Sequence, residues 1–275
     1  MQLLQNRFMA LLVLPVCLAI ILTFPFYIWN IDVEWARNFY QNGRWLYGHN
    51  WFVRFLYDYG PVPAIASTVA GFVLFITSFF IYQFRKYRRI GGFLVLFLVI
   101  GSGVMVNVIF KEYWGRPRPR QIVEFGGVAD YIPPGKRGPL VLTEESQKLV
   151  QVAEGEINWE NLRNIAKLRG KYNSFPAGHA SVGFFMMFPF FFLRSRKGRI
   201  FWMSVGISYG MLMGVVRSVQ GAHFLSDVIW AGFMMYFTGV VLQYFMFRKK
   251  RDKSQQATPP IPDVTWDGSS YRIKS

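Results

Sequence analysis

Long apolar runs alternate with short polar interruptions along this chain, and the lengths of the runs decide the fold class. Six runs, 9–29, 62–84, 91–110, 178–193, 200–216 and 228–247, approach or reach helix-crossing length. A helix needs roughly 20 apolar residues to cross a hydrocarbon layer of about 30 Å. The pattern therefore predicts an all-α fold, a bundle of six transmembrane helices. The fourth run is short, but Pro176 and Gly178 can start its helix slightly earlier, and Pro189 kinks it without removing it from the membrane. The first run is an anchor and not a secretory leader. Its apolar part is too long, its basic flank is only Arg7, and Pro15 and Pro25 interrupt it without a small-residue cleavage site.

The polar stretches complete the layout. Residues 120–174 form an insertion between the third and fourth helices, with turn material followed by one or two short amphipathic helices that start near Thr143 and Glu144. It is expected to cap the site. Residues 30–61, flanked and filled by Trp29, Trp35, Trp45 and Trp51, suit an interfacial helix or loop in the headgroup layer. One membrane domain occupies 1–253, and the tail 254–275 lacks apolar periodicity and is expected to be a disordered cytoplasmic segment. No internal repeat is visible.

Basic residues orient the bundle. Arg85, Lys86, Arg88 and Arg89 follow the second run; Arg194, Arg196, Lys197 and Arg199 follow the fourth; Arg248, Lys249, Lys250, Arg251 and Lys253 follow the sixth. By the positive-inside rule these turns and both termini are cytoplasmic, so 30–61, 111–177 and 217–227 face the other side of the cytoplasmic (inner) membrane. The formal net charge of +16 then needs no nucleic-acid partner, because most of the excess sits in turns that set topology and meet anionic lipid. Cys17 is the single cysteine and lies inside the first run, which excludes a disulfide framework and a cysteine-based metal site.

Three polar clusters fall on the non-cytoplasmic face. They are "KEYWGRPRPR" from Lys111 to Arg120, "FPAGHAS" with His179, and "VRSVQGAHFLSD" with Arg217, His223 and Asp227. Lys111, Arg118 and Arg217 supply fixed positive charge, and the guanidinium fork matches phosphate oxygens in pairs. Gly178 opens a helix whose first N–H groups add a second cradle for phosphate. No carboxylate cluster of metal-binding type accompanies them, so the cations must do the charge stabilisation that magnesium does elsewhere. His223 and Asp227 are four apart, which puts them on one face if the sixth helix begins there. The carboxylate would hold one ring nitrogen and leave the other as a nucleophile. His179, on a different helix, is available to protonate the departing oxygen. His49 is read as an ordinary interfacial residue.

These clusters resemble the motifs of the type 2 phosphatidic acid phosphatases, relatives of the vanadium haloperoxidases. K-x6-R-P is met by Lys111, Arg118 and Pro119; P-S-G-H resembles Pro176, Ala177, Gly178 and His179; S-R-x5-H-x3-D resembles Arg217, His223 and Asp227. The resemblance implies a phosphohistidine mechanism without metal or other cofactor. His223 would attack phosphorus, His179 would protonate the leaving group, Asp227 would orient His223, and Lys111, Arg118 and Arg217 would hold the phosphoryl group. Two positions depart from the pattern. Ala177 and Val216 stand where the family usually has serine. A missing neutral hydrogen bond costs about 0.5–1.5 kcal/mol and a missing donor to the transition state roughly 2.7–4 kcal/mol, so Ala177 is expected to weaken activity, not abolish it.

A site at the outer membrane boundary suits an amphiphile whose phosphate lies at headgroup level. The family analogy offers lipid A, polyprenyl diphosphate, phosphatidylglycerol phosphate and phosphatidic acid. Two alternatives stand beside hydrolysis: a phosphotransferase passing the group to a second lipid, and a non-enzymatic transporter or scaffold that binds anionic headgroups. The second would usually carry ionisable residues near the membrane midplane, and these runs are almost free of them.

Overall fold

Backbone that leaves water must satisfy its N–H and C=O groups internally, and the apolar runs accordingly form helices. The structure, a computed structural model, describes residues 2–48, 50–127, 129–136, 172–247, 264–266 and 271–273. Helix α1 spans Gln2–Ile28 with Pro15 and Pro25 inside it. Helix α2, Ile31–Arg37, leads into a minimal hairpin, β1 Tyr40–Gln41 and β2 Arg44–Trp45. Asn42 and Gly43 turn it, both at positive φ, as a tight two-residue hairpin demands. Helix α3, Trp51–Tyr59, is capped by Asn50, whose Oδ1 accepts from the N–H of Phe52 at 2.9 Å. Helix α4 spans Val62–Phe80, and α5, Arg88–Leu96, continues as wider π-type turns over Phe97–Phe110 into α6, Lys111–Trp114. Helix α7, Gly178–Phe184, tightens into a 3-10 segment over Phe185–Phe191, and α8, Arg196–Ser218, and α9, Leu225–Phe247, close the bundle.

Five segments are long and apolar enough to cross a membrane: Leu11–Ile28, Trp51–Phe80, Tyr82–Phe110, Arg196–Ser218 and Leu225–Phe247. The second starts earlier than expected because α3 abuts α4 with only Gly60 and Pro61 between them. The fourth apolar run forms a shorter helix, Gly178–Phe191. With α rise over its first half and 3-10 rise over its second, it reaches roughly 24 Å.

The molecule is mostly helical, and two small strand pairs qualify the all-α expectation: β1 with β2, and Val264–Trp266 with Tyr271–Ile273. The second pair falls within the tail 254–275. The amphipathic stretch with Thr143 and Glu144, most of the cap 120–174, His49 and the basic cluster at 248–253 lie outside the described residues.

Helix α9 is the centre of the bundle, the most enclosed of the long helices. Phe93, Phe97, Phe185 and Phe191 form a continuous aromatic core beside it, with ring centroids 5.4 Å apart for Phe93–Phe97 and for Phe97–Phe185. Small residues let helices approach closely where the hydrophobic effect cannot drive them together. A Cβ on Gly183 would lie 2.9 Å from the Cα of Gly210, so α7 and α8 touch backbone to backbone. A second cluster, Val33, Ala36, Ile122, Phe125 and Phe224, joins α2, the hairpin residues Tyr40 and Trp45, and the loop after α6. It gathers residues 31–45, 116–131 and 217–227 at one end of the bundle, and the site lies there.

Candidate active site

Helix α6 stops at Gly115, whose positive φ ends it, and the chain turns inward at once. Arg116 is fully buried, and its guanidinium makes four hydrogen bonds. Nε donates to the Ile132 carbonyl at 2.8 Å, one terminal nitrogen to Ser226 Oγ at 2.7 Å and Asp227 Oδ1 at 2.5 Å, and the other to Asp32 Oδ2 at 2.7 Å. Burial opposes this charge, but the carboxylates of Asp227 and Asp32 outweigh it and raise the guanidinium pKa above its ordinary value. Asp32, also fully buried, accepts from the Ser226 N–H at 2.8 Å, so helix α2 is tied to the start of α9.

The Asp227 carboxylate accepts three hydrogen bonds. Besides Arg116, it accepts from Ser174 Oγ at 2.6 Å and from the Phe224 N–H at 2.9 Å. The expected pairing with His223 is present only as a loose ion-pair contact. Helix α9 begins at Leu225, so His223 precedes it and does not share a helical face with Asp227. Its Nδ1 lies 3.7 Å from the carboxylate, beyond a hydrogen bond, and 2.6 Å from the Ser174 carbonyl oxygen. A carbonyl only accepts, so Nδ1 carries the proton and Nε2 of the neutral ring keeps its lone pair. Burial pushes the His223 imidazole down to about 4; the Asp227 carboxylate opposes that shift, and Arg217 and Lys111 add to it. His223 is therefore a neutral base with a fixed tautomer near neutral pH.

His179, half-buried in the first turn of α7, has Arg217, His223 and Lys111 as its electrostatic neighbours. Its ring stacks on Tyr57 with centroids 4.6 Å apart and 17° between planes, and the guanidinium carbon of Arg217 lies 4.5 Å from the centroid of the same ring. One tyrosine thus links the expected acid to an expected phosphate clamp. Arg217 donates to Gln220 Oε1, while its buried Nε has no hydrogen-bond partner among the described residues. A buried cationic donor without an acceptor costs stability unless a ligand completes it.

Lys111 Nζ is 3.4 Å from Asn107 Oδ1, and a Cβ on Gly178 would meet that same Oδ1 at 2.8 Å and the lysine nitrogen at 3.5 Å. A side chain at 178 would have to displace the Asn107 amide, which itself contacts Lys111. Arg118 is half-buried, donates to Asn173 Oδ1 at 2.7 and 3.1 Å, and lines a cavity of about 450 Å³ with Arg217 and Tyr57. Burial and the neighbouring Arg120 lower its pKa. Ala177 is expected, with Gly178, beside the phosphate. Its N–H is spent on the Asp227 carbonyl at 3.2 Å, and its methyl belongs to the apolar core.

Lys111, His179, Arg217 and His223 share one electrostatic neighbourhood, with Arg118 on the adjoining cavity wall. Asp32, Tyr57, Arg116, Asn173, Ser174 and Gln220 escaped the sequence reading. Arg116 had a signal, lying within the same R-P-R-P run; Asp32 and Tyr57 had none, being distant in sequence from every motif.

A neutral imidazole of fixed tautomer, with Lys111 and Arg217 as its cationic neighbours, thus lies at one end of an apolar bundle of membrane-crossing helices. The chain belongs to the PAP2 superfamily, whose family model matches residues 92–251. It is 30% identical over 250 residues to a lipid A 4'-phosphatase of Francisella tularensis subsp. novicida, covering 89% of this chain and 98% of that protein. A lipid A 4'-phosphatase of Rhizobium leguminosarum is 29% identical over 146 residues, 52% of this chain and 50% of that protein. One of Rhizobium etli is 53% identical over 38 residues, 14% of this chain and 15% of that protein. No solved structure matches the chain significantly.

Proposed function

We propose that this membrane lipid phosphatase removes a phosphate from a lipid A type glycolipid at the outer face of the inner membrane, through a phosphohistidine. Family membership and the lipid A 4'-phosphatase relatives support the phosphatase activity, and the relatives favour lipid A over the other lipid phosphates. The observation that carries the reading is the buried Nε of Arg217, without a hydrogen-bond partner among the described residues, in the electrostatic neighbourhood of two imidazoles.

In the proposed sequence His223 Nε2 attacks phosphorus, and the bond to the lipid oxygen breaks. His179 gives that oxygen its proton. Lys111, Arg118 and Arg217 hold the three equatorial oxygens as charge spreads over them. Water then cleaves the N–P bond, with His179 taking the water's proton, and phosphate leaves. Asp227 acts at one remove, fixing Ser174, whose carbonyl fixes the His223 tautomer. Helix Gly178–Phe191 serves as the sixth crossing, with the basic turns and both termini cytoplasmic and residues 111–177 on the outer side.

The test is a phosphate-release assay on purified protein in detergent with lipid A, polyprenyl diphosphate, phosphatidylglycerol phosphate and phosphatidic acid, each with and without chelator. Release from lipid A, unaffected by chelator and lost in His223→Asn, is expected. Chelator sensitivity would overturn the metal-free route, and labelled phosphate appearing on a second lipid would make the enzyme a transferase.

A further inference from the structure

The cationic region is larger than one phosphate requires. The cavity holding Arg118 and Arg217 adjoins a second of about 660 Å³, and Gly48, Arg120 and Gln220 line both. Arg44, Trp45 and Leu46 complete the second cavity. Lys111, Arg118 and Arg217 already match a phosphate monoester of at most two negative charges. Arg44 and Arg120 are therefore surplus to the reacting group. Asp58 is the single carboxylate lining the two cavities among the described residues, and it lies 3.9 Å from Arg54, leaving Arg44 and Arg120 uncompensated by it.

This second cavity is built on the catalytic loops. The Arg120 N–H donates to the Gly221 carbonyl at 3.1 Å, joining the first motif's loop to the third's. A Cβ on Gly221 would lie 2.3 Å from the Trp45 ring, so the indole rests directly on the loop that carries His223. Trp45 is held in turn by Phe125 and Tyr40, with centroids 5.3 and 5.2 Å away. Gln220 forms the boundary. Its Oε1 is taken by Arg217, which turns its amide N–H groups to donor duty between the cavities. An arginine pair beside a fixed indole suits an acidic group on a sugar, charge meeting charge and ring face meeting ring.

We infer that the second cavity is a separate anion subsite that binds a further phosphate carried on the same headgroup, so that the preferred substrate bears two phosphates. This rests on the lipid phosphatase reading and narrows it.

The experiment compares two synthetic glucosamine-disaccharide lipids with identical acyl chains, one bearing a single phosphate at the hydrolysed position and one bearing phosphates at both ends. It uses full-length protein in neutral detergent. Wild type is expected to show the lower KM for the bisphosphate. Arg44→Gln should raise that KM roughly fivefold to tenfold at unchanged kcat while leaving the monophosphate within about twofold, and Arg44→Lys should restore most of the difference. Inorganic phosphate added to the monophosphate assay should not reproduce the advantage; if it does, the subsite takes a free anion and the inference is overturned. Equal effects of Arg44→Gln on both lipids, or none on either, overturn it while the phosphatase reading stands. Hydrolysis of neither lipid removes the lipid A reading and this inference together.

Discussion

His223 donates from Nδ1 to a backbone carbonyl, and two measurable consequences follow from the residues around it. Its pKa falls from 6.5 to about 4 in the folded protein, so between those values the unfolded chain binds more protons. Stability should be full above pH 6.5 and decline as pH falls toward 4, by at most about 3 kcal/mol from this group. An apparent melting temperature followed by tryptophan fluorescence over that window should drop further in wild type than in His223→Asn. His179 is separable by leaving group. His179→Asn should slow release from a lipid alcohol by about 10²–10⁴-fold, and far less from p-nitrophenyl phosphate, whose leaving group needs no proton. Equal losses on both substrates would remove the acid role from His179.

At the scale of elements, helix α2 and the start of α9 are coupled by the Asp32–Arg116–Asp227 chain, all three side chains buried. Removing one partner strands a charge, so Asp32→Ala should cost about 3–5 kcal/mol. An apolar pair, Asp32→Leu with Arg116→Met, should be less damaging to thermal stability than Asp32→Ala alone. Phosphate release should still suffer, because Asp227 loses its main support. The contact of α7 with α8 is a different kind of dependence. Gly183→Val must push side-chain atoms into the Gly210 backbone, with about 1–3 kcal/mol of overpacking, and a lowered melting temperature in detergent would report it.

At the scale of the molecule, the reading of topology makes its own prediction. In a Cys17→Ser background, single cysteines at Arg85 and Arg196 should be labelled by an impermeant reagent only from the cytoplasmic side, and one at Arg44 only from the other. Labelling of Arg196 with Arg44 would mean that Gly178–Phe191 does not cross. Much of this plan is written locally in the chain. Apolar runs announce helices through their length, and Lys111, Arg118, His179, Arg217 and His223 announce themselves through spacing within short motifs. The supporting residues do not. Asp32 and Arg116 are 84 positions apart, Ser174 and His223 are 49 apart, and no periodicity relates them; only packing of the second cluster brings them together. The Asp227 contact is looser than expected for a related reason: four-residue spacing meets across a helix only inside the helix, and α9 starts two residues too late.

The Ser174 carbonyl behind His223 carries one more implication. An amide oxygen cannot take up a proton, so an imidazole phosphorylated on its far nitrogen would keep its positive charge. Such a group departs readily when water arrives. The covalent adduct should accordingly be short-lived, its breakdown outrunning its formation, and alkaline quenching during turnover, which preserves an N–P bond, should trap only a small labelled fraction of the enzyme.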